Sequence, residues 1–515
     1  MMKHSLRLLP AAFLGTLIVI SAVSFSQVPP EEIKTTARPV LMPGRLEVQF
    51  ETDVPTERLT SSINGVGVGI ASLDRRLQKI GAVDALPIFP WHRGREAGVG
   101  LDDMSRFFEL VFSEEQNIND VIENLRKSPY VRSVSPVYAM PLYVEPNDPN
   151  FSSQWGLKKI NDTAAWNVEK GSDTVKIAMI DSGVLYSHPD LRDNIWVNPG
   201  EDLDNDMVVY DTDDSNNIDN DGNGLDDLIG YDFFTGFSSS VTCEDADCGV
   251  PDNNPIDWNG HGTHCAGIAA AVMNNSLGVA SVAGGWGGGL GPYAGPRIMC
   301  IRVGASGYHP DYGHTGYVNS ANCATGIDYA VTMGADIISC SWGMSQSAAM
   351  TSALLRADSA GVVVFHAAGN ENSTSGDYYD TWSPPSVGHK LVVTVAWTTS
   401  GDVKAYSSNY GWWIDICAPG SSIYSTYASN YTATYGYASG TSMAAPHVAG
   451  VAALIKSHMP DYKRDEIVPL IIYNADPMPN EQLWLQGQLG SGRVNAYNCL
   501  DSLPAAAFSA GPDLI

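Results

Sequence analysis

GTSMAAPHVAG, residues 440–450, decides how this chain folds. A turn of small residues presents Ser442 at the start of an apolar run from Met443 to Ile455. The run predicts a buried helix with Ser442 in its first turn. Backbone N–H groups point outward there, and the helix dipole favours negative charge. That setting suits a nucleophile whose reaction develops an oxyanion. Taken alone, Ser442 could equally be a capping residue on a core helix.

Two further segments favour the chemical reading. KIAMIDSGV, residues 176–184, is a short apolar run closed by Asp181 and a glycine. It predicts a buried parallel strand with a carboxylate at its C-terminal edge, where open α/β sheets place their sites. NGHGTHCAGIAAAVM, residues 259–273, sets His261 between glycines ahead of an Ala-rich helix. The order along the chain is Asp181, His261, Ser442.

These segments, in that order, resemble the motifs of subtilisin-like serine proteases, the subtilases. The resemblance extends over roughly residues 150–500, including GSGRVNAYNCL at 490–500. It implies an α/β, three-layer fold with a mostly parallel central sheet flanked by helices. It also implies a serine endopeptidase. A serine hydroxyl needs an adjacent base near neutral pH. His261 is expected to take its proton, and Asp181 to fix the imidazole tautomer. In GVVVFHAAGNEN, residues 361–372, Asn370 alone would read as a turn asparagine. The resemblance makes it the side-chain donor of an oxyanion hole. His264, three residues after His261, lacks the H-E-x-x-H pattern of zinc proteases. It is expected to be structural, and His447 to pack or bond within its helix.

For polypeptide substrates, the resemblance places Ser341, Trp342 and Gly343 on one wall of the specificity pocket. Ala368 and Gly369 form the other. Trp342 stands where the family more often has a smaller aliphatic residue. None of these five residues is acidic, so apolar or aromatic side chains are expected before the scissile bond.

The chain has 515 residues, 57 Asp+Glu against 29 Lys+Arg, a net charge of −28 and a pI near 4.5. Such acidity argues against nucleic-acid partners and anionic membrane surfaces. Lys3 and Arg7 precede an apolar run from Leu8 to Val23, which predicts a signal peptide at 1–26 and a secreted or periplasmic enzyme. An uncleaved anchor is the alternative. Residues 27–143 read as strands around one helix, with Ile118, Val121, Ile122 and Leu125 on one face behind a Ser113 cap. By resemblance this is an inhibitory propeptide, removed between Tyr138 and Asn150. A permanent N-terminal domain is the alternative. The catalytic domain is expected at 144–502, with an acidic insertion at about 200–257 and a tail at 503–515. A monomer is expected.

Calcium is the expected structural cofactor, at two places. In DNDGNGLDD, residues 219–227, oxygen-bearing positions Asp219, Asp221, Asn223 and Asp227, with the Leu225 carbonyl between, match the start of a calcium loop. Position 12 is Gly230 rather than Glu, which leaves Asp226 or Asp232 to complete the set. No Lys or Arg occurs between Arg192 and Arg297. A solvated acidic loop is the plainer alternative. The second site follows from the resemblance. Gln154, Asp190 and Asn275 would give side-chain oxygens, and Met273, Leu277 and Val279 carbonyls.

All eight cysteines follow residue 242. Cys243 and Cys248 bracket a turn that a disulfide could close. A catalytically dead binding protein on this scaffold, or a processing protease of narrow range, remains an alternative function.

Overall fold

The computed structural model describes residues 40–503, save 63–64, 91–102, 140–144, 205, 210–217, 288–293, 312, 479–484 and 486. The expected signal peptide and residues 504–515 of the expected tail lie outside the described residues, as does part of the acidic insertion. Among the described residues no helix is long and apolar enough to cross a membrane.

The apolar runs form a seven-stranded parallel sheet. Its order is Ile416–Pro419, Val393–Thr398, Val363–Ala367, Ile337–Cys340, Lys176–Asp181, Arg297–Arg302, Gly230–Asp232. The run Ile177–Asp181 is buried throughout, as a strand covered on both faces must be. After Lys176–Asp181 the chain winds to one edge, returns, and then crosses to build the other side. The winding therefore reverses at Lys176–Asp181, and the crevice beyond its C-terminal end is the position that favours a site.

Alternation along the strands sorts side chains into two cores. Ile177, Met179, Ile298, Val363 and Phe365 pack in one core with residues of the helices His261–Ala270 and Thr441–His458. Ala178, Ile180, Met299, Ile338 and Val364 share the other with residues of Ser320–Thr332 and Ala348–Ala360. The three-layer expectation is met. The helices of the first core approach closely because small residues face each other. A Cβ on Gly450 would lie 2.5 Å from Val282 and 3.2 Å from the Ala269 carbonyl oxygen.

The N-terminal region is α+β. Strands Asp84–Pro87, Phe107–Val111, Val40–Phe50 and Val131–Ala139 form an antiparallel sheet in that order. Helices Ala71–Lys79 and Ile118–Arg126 contribute Leu73, Leu77, Val121 and Leu125 to its own core, with Leu46, Val48 and Phe108. The helix start differs from expectation. Asn117, not Ser113, caps it, accepting from the N–H of Asn119 at 2.9 Å and of Asp120 at 3.4 Å. Ser113 instead accepts from Glu115 N–H in the preceding turn.

Candidate active site

Asp181 ends the central strand and is 3% exposed. Its Oδ1 lies 2.7 Å from His261 Nδ1 and accepts the Ser182 N–H at 2.8 Å. His261 begins its helix after Gly260, whose φ of +91° is the left-handed conformation that glycine tolerates. Burial alone would lower the histidine's proton affinity. The charge and hydrogen bond of Asp181 more than offset it, so the pKa lies above the ordinary histidine value.

A third carboxylate, not singled out from the sequence, joins these segments. Asp257 is fully buried and accepts from Ser182 Oγ, Gly260 N–H, Thr263 N–H and Thr263 Oγ1 at 2.9, 2.9, 2.9 and 2.6 Å. It clamps the residue after Asp181 to the turn that carries His261. Asp257→Ala would leave four buried donors without their acceptor. The expected loss is about 3 kcal/mol or more of unfolding free energy, read by guanidinium unfolding in a Ser442→Ala background. A change under about 1 kcal/mol would refute the clamp.

Ser442 is the second residue of helix Thr441–His458. Its hydroxyl donates to the Ser341 carbonyl at 3.1 Å rather than to His261, and Ser341 Oγ donates back to the Ser442 carbonyl at 3.0 Å. The structure therefore joins Asp181 to His261 and Ser442 to Ser341. A serine–histidine bond would require the Ser442 hydroxyl to turn, a change compatible with resting active sites. Asn370 follows strand Val363–Ala367. Its Oδ1 accepts the Thr441 N–H at 3.0 Å and Thr441 Oγ1 at 3.3 Å. That fixes the amide with NH2 as the end left for a ligand. Asn409, also missed, braces this loop. Its Oδ1 accepts the N–H groups of Glu371 and Ser373, and its Nδ2 donates to the Ala368 carbonyl. No local pattern marks it.

The expected pocket residues follow the ends of two neighbouring strands. Ser341, Trp342 and Gly343 follow Ile337–Cys340, and Ala368 and Gly369 follow Val363–Ala367. Trp342 is used differently from expectation. Its indole is 9% exposed, packs in the second core and donates to the Ile180 carbonyl at 2.6 Å. Its side chain is thus core, not pocket lining. His264 and His447 are buried, each with one ring nitrogen on backbone carbonyls, and burial pushes both down to about 4.

At the first expected metal position the loop folds around its own carboxylates. Asp219 accepts the N–H groups of Gly222, Asn223 and Gly224, and Asp221 and Asn223 accept those two residues on. Asp227 is buried, and burial pushes it up to about 6. Glu201, fully buried and missed from the sequence, lies within 4.8 Å of the Asp219 and Asp221 oxygens. Asp226 and Asp232 do not complete the set. Asp226 accepts from Asn253, and Asp232 is taken by the buried Arg302. At the second position Asp190 is fully buried, accepting from Asn275 Nδ2 and Val279 N–H at 2.8 Å each. Gln154 is occupied elsewhere. Its amide brackets Ala280, accepting the N–H at 2.8 Å and donating to the carbonyl at 2.7 Å. Asp148 lies near Asp190, 4% exposed and accepting the Asn274 N–H at 2.8 Å. Burial, with the Asp190 charge adding to it, raises Asp148 to about 6.

Cys243 and Cys248 are joined by a disulfide, and the other six cysteines are buried. The disulfide loop carries Asp245 and Asp247, which pair with Arg302 beside Asp232.

A parallel sheet with an Asp–His pair at its switch point, and a serine at a helix start beside it, defines a serine hydrolase architecture. The profile of the Subtilase family matches residues 172–492. Thermitase of Thermoactinomyces vulgaris is 35% identical over 357 residues, 69% of this chain and 99% of its own. An extracellular protease of Xanthomonas campestris pv. campestris is 34% identical over 390 residues, 73% of this chain and 60% of its own. Among solved structures, a protease of Pseudoalteromonas arctica is 30% identical, covers 70% of this chain and 99% of its own, and has a TM-score of 0.51. The chain belongs to the subtilase family of serine proteases. It is a serine endopeptidase acting on polypeptides.

Proposed function

We propose that this enzyme is an exported, self-processing protease that works through Asp181, His261 and Ser442 and is stabilised by calcium. The observation that carries the catalytic reading is the 2.7 Å bond between Asp181 and His261. It leaves Nε2 as the basic nitrogen. Substrate binding turns the Ser442 hydroxyl from Ser341 toward that nitrogen. Oγ attacks the peptide carbonyl as His261 takes its proton. Asn370 Nδ2 and the Ser442 N–H receive the oxyanion. His261 then returns the proton to the leaving amine, and water repeats the sequence on the acyl-enzyme. The substrate backbone lies along Ser341–Gly343, opposite Ala368 and Gly369, with an apolar or aromatic residue before the cut. A peptide-library profile dominated by Lys or Arg would overturn that specificity.

Residues 27–143 act as an intramolecular inhibitor before removal. Their separate core supports this reading. The cut falls before Asn147, because Asn147 N–H donates to Asn274 and Asp148 anchors the same loop of the catalytic domain. An N-terminal sequence of the mature enzyme starting after Asp148 would overturn this placement.

Two groups of oxygens fit calcium. Glu201, Asp219, Asp221, Asn223 and Asp227, with the Leu225 carbonyl, would hold one ion. Asp148, Asp190 and Asn275, with carbonyls of Met273, Leu277 and Val279, would hold the other. The fit rests on Asp148 and Asp190 buried together at the second site, and on buried Glu201 and Asp227 beside the more exposed Asp219 and Asp221 at the first, a costly gathering of charge that a bound cation relieves. Chelation with EGTA is expected to lower the melting temperature by about 5–10 °C. An unchanged melting curve in EGTA would refute both sites.

A further inference from the structure

Behind the Ser341–Gly343 edge lies a buried charged pair that hydrolysis does not use. His366, in strand Val363–Ala367, and Asp380 are both fully buried. His366 Nδ1 lies 2.8 Å from Asp380 Oδ1, and Nε2 lies 2.8 Å from the Trp342 carbonyl oxygen. Both partners act as acceptors. A carbonyl has no proton to give. Asp380 already accepts Thr394 Oγ1–H on Oδ1 at 2.9 Å and the Asp377 N–H on Oδ2 at 2.8 Å. A neutral imidazole has a single N–H and satisfies one acceptor, whereas an imidazolium satisfies two. His264 shows the contrast, with carbonyls at Nε2 and, among the described residues, no partner at Nδ1.

We propose that His366 is a positioning residue for substrate binding: a buried imidazolium, paired with Asp380, that fixes the Trp342 carbonyl and hence the edge that receives the peptide. The proposal rests on the reading of Ser341–Gly343 as that edge. Trp342 is held from two sides, by His366 at its carbonyl and by Ile180 at its indole N–H. Ile180 precedes Asp181, so the same side chain ties the edge to the strand that carries the catalytic carboxylate. Asp377 completes the support. Its Oδ2 accepts the Met344 N–H at 2.7 Å and lies 3.9 Å from His366 Nε2.

The ionisable groups around the ring are Asp380 and Asp377, with the Asp415–Lys390 pair beyond Thr394. Burial alone would drive the proton off. The charge and hydrogen bond of Asp380 outweigh burial, so proton affinity rises. The acceptors at both ring nitrogens hold the imidazolium, and it and its bond to Trp342 are lost as pH climbs through the raised value. The predicted signature is a KM that worsens at alkaline pH.

The test combines spectroscopy and kinetics on the full chain. In Ser442→Ala protein labelled with ¹⁵N-histidine, at about pH 8, His366 should show both ring nitrogens protonated, where an ordinary histidine is neutral. Its signal is assigned by loss in His366→Gln. If that variant does not fold, coupling to a ¹³C-labelled Trp342 carbonyl assigns it. A neutral ring at that pH overturns the proposal. In active enzyme, His366→Gln keeps a donor without the charge. It should raise KM for an extended peptide on the order of tenfold and change kcat by less than about twofold. Asp380→Asn should raise KM similarly and neutralise the ring. An unchanged KM in His366→Gln, or a loss confined to kcat, overturns the proposal. Gly343→Val, which puts a side chain on the edge itself, separates the two readings. If it leaves KM unchanged, the edge does not receive substrate and the underlying reading fails. If it raises KM while His366→Gln does not, the edge stands and the role of His366 falls.

Discussion

Ser442→Ala is expected to yield a chain that keeps its N-terminal region and hydrolyses peptides about a millionfold more slowly than wild type. That is the scale known for loss of the nucleophile in subtilisin itself. The physical reason is that no neighbouring group can substitute. The Cys265 sulfur lies 3.2 Å from the Ser442 carbonyl oxygen. It is fully buried, and burial with the nearby Asp181 charge pushes its thiol well above the ordinary range. A thiol kept protonated is a poor nucleophile. Mass and N-terminal sequence of the two purified proteins read the result. Identical trimming of both would assign maturation to another protease. Peptide hydrolysis by Ser442→Ala within tenfold of wild type would remove Ser442 from the mechanism.

Asp181→Asn is the second large effect, with kcat expected to fall on the order of 10⁴-fold. An amide can donate to Nδ1 and so favour the tautomer that leaves no base at Nε2. The pH profile carries a separate signature. The base works only when neutral, so activity appears as pH rises through the His261 pKa. Burial pulls that value down, and Asp181 more than compensates, placing the acidic limb above the ordinary histidine value of about 6.5. In Asp181→Asn the compensation is gone while burial remains, so the limb should move to lower pH. Residual kcat/KM measured across pH reads both effects. A limb that stays in place would show that Asp181 does not set the proton affinity of His261.

What the sequence discloses and what it hides differ by distance along the chain. Asp181 ends a strand, His261 begins a helix, Ser442 sits in the first turn of another and Asn370 lies just past a strand, and a glycine or small-residue turn marks each boundary locally. The parallel strands were equally legible, because burial on both faces leaves continuous apolar runs. Asp257 was within reach as an acid four positions before His261, but its four donors become visible only in three dimensions. Glu201 stands 18 positions before the acidic loop it joins, and Asp148 meets a loop more than a hundred residues away. No periodicity reports such pairings. Asp232 looked available for a cation until Arg302, from a neighbouring strand, was found against it. Gln154 was expected as a ligand by resemblance, yet its amide spans Ala280. Trp342 was legible as unusual, though not as a core residue.

The helix Thr441–His458 packs in the first core with strands on both sides of the switch point. It is also among the last regular elements in chain order. During synthesis, the strand with Asp181 and the helix with His261 emerge long before the serine that would make them dangerous. A ribosome-bound chain lacking this helix has neither nucleophile nor intact core. Until roughly the last seventh of the chain is made, the Asp181–His261 pair therefore stands without the serine beside it.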